Sequence, residues 1–87
     1  MEKYHGFENW LKGNNYVSWK SYLSFMKAIE KDLQVDIVNI NSVSILKQML
    51  VKLEASRSFM SRSKSDRDNI LSGFRTYISF IQEKKKN

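Results

Sequence analysis

The side chains able to do chemistry in this 87-residue chain are few, and most of them are cationic: 15 Lys and Arg stand against 9 Asp and Glu, with one His and no Cys. The absence of cysteine removes thiol catalysis, iron–sulfur sites, disulfide scaffolds and cysteine-based zinc sites in one step. His5 lies near the amino end, and any carboxylate or metal partner would have to come from elsewhere in the fold, so it reads as a surface or stacking residue. No glycine-rich loop precedes a helix to cradle phosphate, and G-x-S-x-G does not occur. Asp66 and Asp68 flank an expected helix start, where favourable interaction with the positive end of the helix explains them without a metal. A non-enzyme without metal or cofactor is the expectation.

The positive signal is the segment Ser56 to Ser65, SRSFMSRSKS, which holds five serines with Arg57, Arg62 and Lys64 and feeds Arg67 just beyond it. Backbone N–H groups at a helix amino end point at a phosphate, Arg and Lys add charge, and Ser61, Ser63 and Ser65 add hydroxyl donors. Charge along the chain agrees with a partner of that kind. Residues 1–46 carry five Lys and five acids, whereas residues 47–87 carry ten Lys and Arg against four acids, so the whole excess of +6 falls in the second part. A one-sided basic surface suits a polyanion, and nucleic acid is the commonest one. The plain alternative is a solvated basic face.

Elements that would position these residues are helical. There is no proline and there are only three glycines, which fits helices joined by short polar turns. Phe7, Trp10 and Leu11 at i, i+3 and i+4 predict a short helix over about 3–12, with Gly13 as a left-handed stop. Tyr22, Met26, Ile29 and Leu33 predict a second over 18–33, capped by Ser18, with Lys20, Ser24, Lys27 and Lys31 as its outward stripe. Val35, Ile37, Val38 and Ile40 read as a connector with anchoring side chains, because a lone strand has nothing to pair with. Val43, Leu46, Met49, Leu50 and Leu53 predict a third helix over 42–55, and Ile70, Leu71, Phe74, Tyr77, Ile78 and Ile81 a fourth over 65–84. Ser65 and Asp68 form the S-x-x-D pattern of a capping box at its start. Phe59 and Met60 are expected to pin the basic loop between the last two helices.

The expected fold is therefore all-α, a compact single-domain bundle of one short and three longer helices spanning residues 1–87. Trp19, Tyr22, Phe25, Phe74 and Tyr77 lie on helical stripes and read as core, leaving Tyr4, Tyr16 and His5 as the rings able to stack on exposed bases. No apolar run approaches the roughly 20 residues of a membrane span, and MEKYHGFENW lacks the apolar core of a signal peptide, so a soluble cytoplasmic protein is expected.

The order FENWLKGNNYVSWKSYLSFMKAIEKDL, a β-branched connector, an apolar helix ending KLEAS, a basic loop and SDRDNILSGFRTYISFIQ resembles the SAM-like four-helix core-binding domain of phage integrases and other tyrosine recombinases. A related module also precedes nuclease domains in some restriction endonucleases. The resemblance implies one half of a clamp around double-stranded DNA, with strand cleavage left to a separate catalytic domain. The recombinase active site includes H-x-x-R, which this chain lacks, since His5 is followed by Gly6, Phe7 and Glu8. Together the residues and the resemblance nominate Lys20, Lys27, Arg57, Arg62, Lys64, Arg67 and Arg75 as DNA contacts. The competing expectation is a small helical adaptor, such as a mobile-element regulator or inhibitor, that would show an apolar patch at Phe59 and Met60.

Overall fold

A computed structural model describes residues 3–86 and contains five helices, with no strand among the described residues: α1 (His5–Gly13), α2 (Trp19–Leu33), α3 (Val43–Glu54), α4 (Arg57–Met60) and α5 (Lys64–Lys86). The all-α expectation holds. Spacing explains which faces turn inward: Phe7 and Leu11 of α1, Leu23, Met26 and Ile29 of α2, and Leu46 and Leu53 of α3 are buried. All three faces converge on Ile70, Phe74, Tyr77, Ile78 and Ile81 of α5, so the longest helix is the common wall of the core.

Helices α2 and α5 approach closely at Gly73. A Cβ placed on Gly73 would stand 2.9 Å from both Cβ and Cδ2 of Phe25, closer than side-chain packing tolerates. Glycine here lets the two helices approach until the Phe25 side chain rests on the α5 backbone.

Helix ends depart from the expected chemistry. Gly13 is the last residue of α1 and has no positive φ; Asn15 takes the left-handed conformation instead, at φ 64°. Asparagine is among the residues that visit this region most readily. Ser18 does occupy the cap position of α2, but its backbone is not extended and its hydroxyl makes no capping bond. Ser42 and Ser56 do cap α3 and α4, accepting from the N–H groups of Ile45 and Phe59.

The cap at the start of α5 is a single serine bond, displaced by two residues from the expected box at Ser65 and Asp68. Ser63 Oγ accepts from Asp66 N–H at 3.1 Å, and Ser65 is already helical. The same S-x-x-D spacing is present at Ser63 and Asp66, which is why sequence spacing alone could settle on either register.

The connector between α2 and α3 is anchored by three of the four residues expected to do so, and Val35 is exposed instead. Ile37 is fully buried, Val38 and Ile40 pack on the core edge, and Ile40 N–H closes a turn onto Ile37 C=O. Its geometry depends on Glu30. One Glu30 oxygen accepts from Tyr4 Oη at 2.6 Å and from Ile37 N–H at 2.7 Å, while the other meets Lys3 Nζ at 3.0 Å. Lys3 also reaches Asp36 at 2.6 Å, so one carboxylate ties the amino-terminal segment to the connector. Burial pushes the Glu30 pKa up, but the bonds from Tyr4, Ile37 and Lys3 outweigh it and hold the carboxyl below its ordinary value.

Candidate nucleic-acid interface

The sequence nominates seven cations, and the fold gives them unequal roles. Lys20 and Lys27 are seven residues apart on α2, two helical turns, and both are exposed with Ser24 between them and Lys31 one turn beyond. Arg57 opens α4 and Arg75 lies midway along α5; both are exposed. Arg67 is half-buried in the first turns of α5, where its Nη1 stands 3.7 Å from Met60 Sδ and its Nε is enclosed without an acceptor. These five, with exposed Lys31, Lys47 and Lys52, have no carboxylate partner among the described residues.

Arg62 and Lys64 differ. Arg62 donates from Nε to Asp32 Oδ2 at 2.9 Å and from Nη2 to Asp32 Oδ1 at 3.1 Å, a two-pronged ion pair. The Asp32 side chain is only 4% exposed, so Arg62 neutralises a buried charge and fastens the α4–α5 turn to the end of α2. Lys64 pairs with Asp68 at 3.0 Å one turn along α5, in the open, where such a pair gives way readily.

The phosphate cradle expected at the start of α5 is taken up internally. Ser63 Oγ bonds the Asp66 N–H, Ser61 Oγ donates to Ser58 C=O, and Asp66 and Asp68 bring negative charge to the same turn. Ser65 alone of the three hydroxyls makes no bond among the described residues. The segment around it is also less of a loop than expected: α4 interrupts it and drives Phe59 into the core at 2% exposure, leaving Met60 50% exposed. Glu54, Phe59, Met60, Lys64, Arg67, Asp68 and Leu71 line an open groove of about 340 Å³ there.

Of the rings nominated for stacking, Tyr4 is buried, bonded to Glu30 and packed edge-on against Tyr77 with centroids 5.6 Å apart. It is a core residue. Tyr16 is half-buried between Trp10 and Tyr22, at 5.8 and 5.5 Å between centroids. His5 is exposed and bonds only Asn9, at 3.2 Å. Two other rings meet cations: Phe80, with Lys84 Nζ 5.9 Å from its centroid, and Trp19, assigned to the core by its spacing but half-buried, with Lys12 Nζ 4.3 Å and Lys20 Nζ 5.5 Å from its centroid.

Among the described residues no group of three His, Asp or Glu side chains is placed to hold a metal ion, and no helix is long and apolar enough to cross a membrane. No protein-family model, curated protein or solved structure matches this chain.

Proposed function

We propose that this chain is a non-catalytic module that binds double-stranded DNA through its backbone phosphates, in the manner of the recombinase core-binding domain it resembles, with a catalytic domain in trans or on a longer chain. One observation carries the reading. Lys20, Lys27, Arg57, Arg67 and Arg75, on three different helices, have no carboxylate partner among the described residues and reach the surface, while the nearby acids Asp32 and Asp68 are occupied by Arg62 and Lys64. Cations left unpaired across several elements lose little on exchanging water and counterions for phosphate, and the released counterions drive binding.

The test is a fluorescence-anisotropy titration against a labelled duplex of arbitrary sequence at several salt concentrations, with a single strand as control. Binding should weaken with salt, and Arg57→Gln, Arg67→Gln or Arg75→Gln should each lower affinity and flatten the log–log slope by about 0.9. Unchanged affinity and slope in the triple variant would remove these residues from the interface.

Half-exposed Met60, beside the groove of Phe59 and Leu71, favours a second reading as a protein-interaction module. Under that reading, binding to a protein partner persists at high salt and is lost on Met60→Asp. Phe59 is unsuitable for the test, because it is a core residue.

A further inference from the structure

Glu8, Trp19, Lys20, Leu23, Ser24 and Lys27 line an open cleft of about 380 Å³ where α1 faces α2. The Trp19 indole is part of its lining, and two ammonium groups lie against that ring, Lys12 at 4.3 Å and Lys20 at 5.5 Å from the centroid. Two cations on one ring repel each other, and the arrangement holds because the indole π face attracts both and Glu8 meets Lys12 at 2.8 Å. The partners are thus unevenly shared. Glu8 satisfies Lys12, whereas Lys20 and Lys27 have no carboxylate among the described residues, and Ser24 between them makes no side-chain bond there. The lining itself, with Lys20 and Lys27 against Glu8, is net positive, and Lys12 beside it neutralises Glu8.

We propose that this cleft is a preorganised phosphate site, in which Lys20 and Lys27 meet the anion, Ser24 donates a hydroxyl hydrogen bond, and Trp19 is the positioning residue that holds Lys20 in place. The inference rests on the DNA reading for the source of the phosphate, a backbone phosphodiester. The ligand class follows from the donors. Lysine ammoniums are compact charges that accept a phosphate from many directions, and the apolar wall of Trp19 and Leu23 suits the sugar beside it. A free lysine loses most of its rotamer freedom on binding an anion, and one already resting on an indole has lost part of it beforehand. Trp19 accordingly contributes to affinity without touching the phosphate charge.

Two titrations test this on the intact chain, anisotropy against a labelled duplex and tryptophan emission against inorganic tripolyphosphate. Lys20→Gln and Lys27→Gln should each weaken duplex binding and flatten the salt slope by about 0.9. Trp19→Leu keeps every charge yet should weaken binding about two- to fivefold, and Trp19→Phe should recover most of that loss, since phenylalanine also presents a π face. Melting temperatures of the two Trp19 variants, measured alongside, separate this effect from unfolding. If duplex binding is salt-dependent but Lys20→Gln, Lys27→Gln and Trp19→Leu all bind as tightly as the native chain, the cleft is not a phosphate site and the DNA reading stands; if the Lys variants weaken binding and Trp19→Leu alone does not, the preorganisation by Trp19 is overturned. If no duplex binds but tripolyphosphate alters the emission of a Trp10→Phe chain, whose one remaining tryptophan is Trp19, in a Lys20-dependent way, the site stands with a free phosphate as its ligand and the DNA reading falls. Silence in both titrations overturns both.

Discussion

Arg62 and Arg67 belong to one basic stretch of sequence, and their surroundings divide them. Arg62 holds the carboxylate of Asp32, 30 residues away in sequence, whereas the side chain of Arg67 finds only the Met60 sulfur as an acceptor among the described residues. Nothing local marks the difference, because an ion pair across such a separation depends on where two helices end relative to each other. Arg62→Ala leaves Asp32 buried and unpaired, so thermal or urea unfolding should show a loss of about 2–3 kcal/mol, discounted for the part of Arg62 that water reaches. The double change with Asp32→Ala should cost less than the sum of the two single changes. Tyr77 offers a residue-level check in alkali. Burial, with the Glu30 charge adding to it, pushes its hydroxyl up to about 12 from an ordinary 10.0. The neutral phenol is favoured in the fold, so its contribution is complete below pH 10 and is lost as pH rises through about 12. Tyr77→Phe should flatten the stability curve across that window, read by chemical denaturation at stepped pH.

At the scale of elements, apolar spacing is enough to find α1, α2, α3 and α5, because each presents a periodic face that has to be covered. It does not reveal α4, whose four residues hold too little periodicity to register, nor which of two overlapping S-x-x-D patterns caps α5. The place where α2 crosses α5 is equally silent, since a glycine gives no sign in sequence of what rests on it. Gly73→Ala should push α2 off α5 and cost about 1–3 kcal/mol in urea unfolding, as overpacked sites do. The Glu30 clip has a pH signature of its own. With the folded pKa depressed, its stabilisation is complete above the ordinary carboxyl value and is lost as pH falls through the lower folded one. Glu30→Gln should therefore lower stability at neutral pH and flatten the acid limb, measured by thermal melts from neutral pH downward.

Over the whole molecule, the charge asymmetry is plain in the sequence, and folding leaves cations on α2, α3, α4 and α5 without a carboxylate partner among the described residues. A net +6 on a body with extents of 36 × 27 × 23 Å repels itself. Added monovalent salt should consequently raise the melting temperature while it weakens duplex binding, two opposite responses to the same screening. The common wall formed by α5 has a consequence for how the chain comes off the ribosome. Residues up to Met60 carry the apolar faces of α1, α2 and α3 but not the helix that all three cover. Until α5 emerges, at roughly 5–20 residues per second, those faces have only one another to close on and lack their common wall. A nascent chain stalled before Lys64 should thus remain open to protease, and folding should wait for α5 to clear the tunnel.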